Sequence, residues 1–282
     1  MIGKTNRYAK RVGGLERLFK DVRWWAAVVR SRLAHGSVQY IVTDPEFPSK
    51  RASIQAYARE LKWVVTNVDR ANAVLRLAFD DTTSPFKTRP AGWMNGLRGD
   101  ISKSALDVVH LSVFGREVAI DPLIHQGLML EKSEANAQHD GRELKGPIQA
   151  KRDGMVYQRI VNNVLEDGRF VDFRAVVVGC EIPMVYKKIK VDGARYTNRT
   201  AEVQLQVCDE VFTQSEQSQL LELCLKMGVD FAELDVLRDA QTHEIFVVDI
   251  NPTPYGPPEG LQGHHRNRAA CLGAEAMRRW VS

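Results

Sequence analysis

The chain has 282 residues, of which 44% are hydrophobic and 26% charged, with a net charge of +4 at neutral pH. That is the balance of an ordinary soluble α/β or α+β protein with room for a sizeable core. No apolar run is long enough to span a bilayer, and the opening "MIGKTNRYAKRVGG" lacks the apolar centre of a secretory signal. Cys180, Cys208, Cys224 and Cys271 lie far apart without metal-like spacing, so reduced thiols and a cytoplasmic setting are expected. The charge is uneven. Nine Lys/Arg against Glu16 and Asp21 give the first 35 residues +7 and leave −3 for the rest, a pattern that points away from a general nucleic-acid binder and toward a basic N-terminal element.

In chain order, Leu15, Leu18, Val22, Trp25, Val29 and Leu33 recur at helical spacing, with Lys20, Arg23 and Arg30 between them. Three readings stand: a helix packed on the body, a partner-docking helix, or a helix lying on an anionic membrane through residues 15–33. "VQYIVTD", "SIQAYARELKW" and "ANAVLRLAFDDTT" then give a β–α–β rhythm, a small parallel unit over residues 37–99. In "GDISKSALDVVHLSVFG", Asp100 or Ser102 can cap a helix that stops at Gly115.

The texture then becomes strand-rich. "REVAI" and "GLMLEKS" read as strands, "EANAQHDGRELKGP" as a mobile loop over 133–147, and "GMVYQRIV" as a further strand. "GRFVDFRAVVVGCEIPMVYKKIK" reads as a hairpin turning around Gly179. "TQSEQSQLLELCLKMG" is an amphipathic helix capped by Thr213 or Ser215 and stopped by Gly228. "FAELDVLRDAQTHEIFVVDINP" is a second hairpin with its turn near residues 239–243, and "HRNRAACLGAEAMRRWVS" a final helix.

The chemistry gathers in the second hairpin. Asp249 and Asn251 share strand parity and therefore a face, and the partner strand can bring Asp235 beside them. Three oxygen donors without His or Cys suit Mg²⁺ or Mn²⁺. From spacing alone, a strand closing into a turn before proline reads equally well. In the first hairpin Asp172 and Arg174 share a face, and the turn register decides whether Lys187 or Lys188 joins them. Arg174, between apolar runs, needs an anionic partner if buried, and Asp172 on the same strand face is the candidate. Lys132 ends "GLMLEKS" just before the glycine-containing loop. His139 and Asp140 in that loop read as turn residues or substrate contacts. There is no P-loop, dinucleotide fingerprint or nucleophile elbow.

Taken in order, a lysine before a glycine-containing loop, "YQRIV", "VDFR", and "GVDFAELDVLRD" with "VVDINPTPYGPP" resemble the ATP-grasp superfamily over residues 116–275, most strongly at 228–258. The resemblance implies an α+β fold of two lobes, the smaller at 116–156 and the larger at 157–282. A pre-ATP-grasp-like α/β unit at 37–115 and the basic segment 1–36 would precede them. It implies ATP and Mg²⁺ as cofactors, with Asp235, Asp249 and Asn251 as metal ligands. Lys132 would touch the phosphates, Gln158 would lie in the hinge strand that reads adenine, Lys188 would bind and act at the nucleotide, and Arg174 would face the transferring phosphoryl group. The implied reaction activates a carboxylate as acyl phosphate and joins it to an amine, as in peptide tailoring or cell-surface polysaccharide decoration. A kinase acting on a hydroxyl and a non-catalytic nucleotide-binding module are the alternatives. Two departures stand out. Tyr196 occupies a place where related ligases often carry Arg, with Arg195 and Arg199 shifted around Asn198, and Asp249 stands where Glu is common.

Overall fold

The computed structural model describes residues 14–83, 89–90, 92–135, 140–191, 193, 195–196 and 199–282, with backbone only for 14–21. His139 and Asn198 lie outside the described residues. The chain opens with α1 (Gly14–His35), β1 (Tyr40–Pro45), α2 (Ser53–Leu61), β2 (Val64–Thr66) and β3 (Ala73–Phe79). β1 lies between β2 and β3, parallel to both. α2 carries the chain back to the starting end of β1, so β2 runs parallel beside it. α3 (Lys103–Phe114) starts at Ser102, whose hydroxyl accepts from the Ala105 amide at 3.2 Å, and stops at Gly115 in the left-handed region.

A second sheet joins β4 (Gly127–Ser133), β5 (Arg142–Gly146) and β6 (Met155–Arg159) in the order β5-β4-β6. Two expectations are corrected here. "RELKG", read as part of a loop, is β5, because pairing with β4 satisfies its backbone despite its polar side chains. "REVAI" forms no named strand; its Ala119 makes only an isolated bridge to Gln158. Buried Glu131 holds the sheet together, accepting from Arg142 and Arg152 at 2.7 Å and from the Tyr157 hydroxyl at 2.9 Å.

The third sheet is antiparallel, in the order β11-β10-β7-β8-β9, from β7 (Val171–Val178), β8 (Glu181–Lys190), β9 (Thr200–Gln206), β10 (Phe231–Arg238) and β11 (Ile245–Asn251). β9 has no counterpart among the predicted elements, since "TAEVQLQ" is polar enough to pass for loop. Between β9 and β10 come α4 (Cys208–Val211) and α5 (Gln214–Met227). α5 carries a full capping box, Thr213 with Glu216, and ends at Gly228. One face of this sheet presents Ala175, Val177, Ala232, Leu234 and Val236 to α3 and α5. The other face is divided. At one end Val176, Met184, Tyr186 and Phe231 pack with α2 and α6 (Gly263–Val281). At the other end the same face turns polar.

The packed-helix reading of α1 predicted its apolar stripe inward. The stripe points out instead: Val22, Trp25, Val29 and Leu33 are exposed, while Ser31 on the opposite side is fully buried.

Candidate nucleotide and metal site

Strand register builds the site. Asp235 on β10 faces Asp249 on β11 and Arg174 on β7, Glu233 faces Asn251, and Asp172 faces Lys188 on β8. Opposed residues share a face, so Asp172, Arg174, Lys188, Lys190, Glu233, Asp235, Asp249 and Asn251 all project from one side. The register resolves the lysine choice in favour of Lys188, which is buried on this face. These groups form one wall of a cavity of about 830 Å³, a size suited to a small-molecule ligand. Lys132, Gln158 and Lys103 line it from the other side.

Arg174 forks onto Asp235, with Nε to Oδ1 at 2.8 Å and Nη2 to Oδ2 at 3.0 Å, and Nη1 reaches Glu233 at 3.4 Å. Arg174 is partly rather than fully buried, and it takes Asp235 and Glu233 as partners. Asp172 is held instead by Lys190 at 2.5 Å and Asn163 at 3.0 Å. Burial alone would raise the Asp235 carboxyl, but Arg174 and then Lys188 outweigh it and hold it well below the usual carboxylate range. Glu233 behaves oppositely, pushed up to about 7 by burial with Arg174 only partly opposing.

Asp249 differs from both. Its carboxylate accepts no hydrogen bond from the described residues, and burial followed by the neighbouring Asp235 charge raises its pKa. A half-buried carboxylate with no hydrogen-bond donor among the described residues, beside a second carboxylate, is open to a cation, with Lys103, Lys132 and Arg174 acting on it only through space. Asn251 completes the oxygen set on the same face. Its Oδ1 accepts from the Thr253 amide at 3.0 Å and hydroxyl at 3.1 Å, which fixes the carboxamide at the start of the proline loop. That loop is anchored to the N-terminal unit, with the Pro254 carbonyl accepting from the Ser53 amide at 2.9 Å.

The register shift between Asp235 and Val236 leaves Val248 as an extra residue in β11, and its carbonyl accepts from Lys132 Nζ at 3.0 Å. The bulge thus links the small sheet to β11. Burial lowers Lys132 to about 8. Lys188 is likewise lowered by burial, with Asp235 opposing, and its ammonium has no hydrogen-bond partner among the described residues. Gln158 sits in β6 as expected, but its side chain is committed: Nε2 donates to both oxygens of Asp107, at 2.9 and 3.1 Å.

Sequence reasoning missed Lys103, Lys190 and Glu233. Glu233 was accessible from its shared parity with Asp235. Lys103, the first residue of α3, carried no local signal. Its Nζ donates to the Ala135 carbonyl at 3.1 Å, and the Ser104 amide and hydroxyl bind Glu134 at 3.0 and 2.8 Å. Asp140 closes the same segment by accepting from Ser133, which fits the turn reading. Tyr196, the departure noted in sequence, donates to Glu143 on β5 at 2.6 Å.

No family model and no curated protein matches the sequence. Among solved structures the chain is similar to the ATP-grasp ligase PsnB complexed with a minimal precursor, with 11% identity and a TM-score of 0.54 over 86% of this chain and 98% of that one. It is similar also to PsnB complexed with a phosphomimetic variant of the minimal precursor, Mg and ADP (11%, 0.55, 87% and 99%). A third similar structure is a Chryseobacterium gregarium RiPP-associated ATP-grasp ligase in complex with ADP and a leader and core peptide (9%, 0.50, 86% and 97%). The chain has the ATP-grasp fold, in the α+β form that the sequence led us to expect.

Proposed function

We propose that this chain is an ATP-dependent ligase that activates a carboxylate as acyl phosphate and passes the acyl group to an amine. The observation that supports the reading is the set Asp235, Asp249 and Asn251 on one sheet face, where among the described residues the Asp249 carboxylate has no donor and the Lys188 ammonium no acceptor. The donors are all hard oxygens of the kind that suit Mg²⁺ or Mn²⁺; a bound ion would take Asp249 directly and share Asp235 with Arg174 and Asn251 Oδ1 with Thr253. A bound divalent ion would neutralise phosphate charge there.

The protein's own groups supply positioning and fixed charge, which phosphoryl transfer chiefly requires. Lys132 and Lys103 supply cations on the phosphate side. Of the five Arg174 donors, three are held by Asp235 and Glu233, leaving two on a pre-oriented guanidinium for a phosphoryl or acyl-phosphate oxygen. Lys188 supplies the second charge at that point. The substrate carboxylate oxygen attacks the γ-phosphorus and ADP leaves. The amine then attacks the acyl carbon, phosphate departs, and the amine loses a proton. A second cavity of about 550 Å³ shares Arg174 and Lys188 with the first and continues past Val191, Arg199 and Thr200, which supports it as the approach of the acid. In this reading β4–β6 form the smaller lobe and the five-stranded sheet the larger. β6 would be the hinge, reading adenine through its backbone because the Gln158 side chain is occupied. A peptide substrate is favoured over a polysaccharide because the similar ligases are complexed with precursor peptides.

The test is product analysis with Mg-ATP against a panel of peptides, acids and amines. ADP, free phosphate and a condensed product support ligation, whereas ADP with a phosphorylated acceptor selects a kinase. Calorimetry in which wild type and Asp249→Ala both fail to bind Mg-ATP would overturn the nucleotide site altogether.

A further inference from the structure

The catalytic reading leaves α1 unused, and its two faces are unlike. On the inner side Ser31 is fully buried and accepts from the Gln39 amide at 2.9 Å, while the His35 ring bonds the Leu61 carbonyl at 2.9 Å. These contacts fix how the helix is rotated against the body. On the outer side Val22, Trp25, Val29 and Leu33 are 57, 61, 54 and 83% exposed. At 100° per residue the four fall within an arc of about 80°. Exposed Arg23 and Arg30 border one edge of that arc and exposed Arg32 the other. Placing four large apolar side chains in water on a rotationally fixed helix is unfavourable unless something covers them.

We propose that this stripe seats on an anionic bilayer surface, holding the protein peripherally on a membrane. Charge selects the occupant. The first 35 residues carry +7, so pairing stripe to stripe with a second copy would bring like-charged arginine borders together. A protein partner would also need about 800 Å² on each side for a stable interface, more than one strip of four side chains provides. A bilayer asks for no groove. It takes the apolar side chains at the headgroup boundary while anionic headgroups meet the flanking arginines. No helix among the described residues is long and apolar enough to cross a membrane, so α1 would lie on the surface. Attachment through one such stripe would be reversible and weakened by salt.

The experiment is co-sedimentation of the full chain with vesicles of phosphatidylcholine alone and of phosphatidylcholine mixed with phosphatidylglycerol. Wild type should pellet only with the mixed vesicles and be released by salt. Trp25→Asp with Val29→Asp should abolish pelleting, and Arg23→Gln with Arg30→Gln should weaken it about 25-fold, roughly fivefold per arginine. Leu225→Asp, at an equally exposed apolar position on α5, should leave it intact. All variants alter exposed residues and should melt as wild type does, and nucleotide turnover in solution should be unchanged. The proposal is overturned if wild type ignores the anionic vesicles at low salt, or if the Trp25/Val29 variant pellets like wild type. It is overturned equally if light scattering shows a dimer that this variant dissolves.

Discussion

Lys188 is a buried ammonium with no hydrogen-bond partner among the described residues, and Asp235 only partly offsets the cost of burying its charge. Lys188→Met keeps the stem and removes the charge. Turnover should fall about 100-fold, the usual loss for one pre-oriented donor at a developing oxyanion, while thermal melting should stay level or rise. A melting temperature that dropped with activity would make Lys188 structural. His110 gives the clearest pH signature. It is stacked on Phe114 and Phe246, and burial lowers it to about 4 from an ordinary value of 6.5. Between those values the unfolded chain takes a proton that the folded protein refuses. Its contribution is thus complete above pH 6.5 and is lost progressively as pH falls toward 4. Denaturant titrations of wild type and His110→Leu should show wild type losing on the order of 3 kcal/mol more across that window.

Among the elements, the α2–α6 contact depends on a missing side chain. Gly273 lies inside α6, where glycine ordinarily costs about 1 kcal/mol relative to alanine. A Cβ there would land within the Tyr57 ring, itself buried against Phe231 at 6.3 Å between centroids. The clash outweighs the propensity, since overpacking typically costs about 1–3 kcal/mol. Gly273→Ala should therefore lower the melting temperature, and Gly273→Ala with Tyr57→Leu should recover part of the loss. Other elements were legible locally. Thr213 and Gly228 bound α5, and Ser102 and Gly115 bound α3, because caps are written in neighbouring residues. β5 and β9 were not, because their polar residues form strands only where a partner strand stands ready to pair.

Across the whole molecule, one asparagine ties the N-terminal unit to the five-stranded sheet. Asn95 donates to the Phe231 carbonyl at 2.8 Å and accepts from the Asp230 and Phe231 amides at 2.9 and 2.8 Å. It reaches the Pro252 carbonyl at 3.4 Å, so the same side chain touches both the start of β10 and the loop leaving β11. Asn95→Ala strands buried backbone amides and should cost about 2–4 kcal/mol. Its φ of 55° adds strain that Asn95→Gly would relieve. A glycine variant that is more stable than alanine yet well short of wild type, by chemical denaturation, would separate the hydrogen bonds from the backbone.

Parity along "ELDVL" and "VVDIN" determined that Asp235, Asp249 and Asn251 could share a face, because side-chain alternation is a local property of any strand. The periodicity of residues 15–33 determined that a helix forms there. Only the tertiary structure decided that Lys188 rather than Lys187 joins the site, since one residue of register reverses every side chain. Only it brought Lys103 and Asn95 to the cavity and the sheet from distant sequence, and turned the Trp25 stripe outward. Those outcomes rest on how separate elements meet, and no local pattern of residues encodes that.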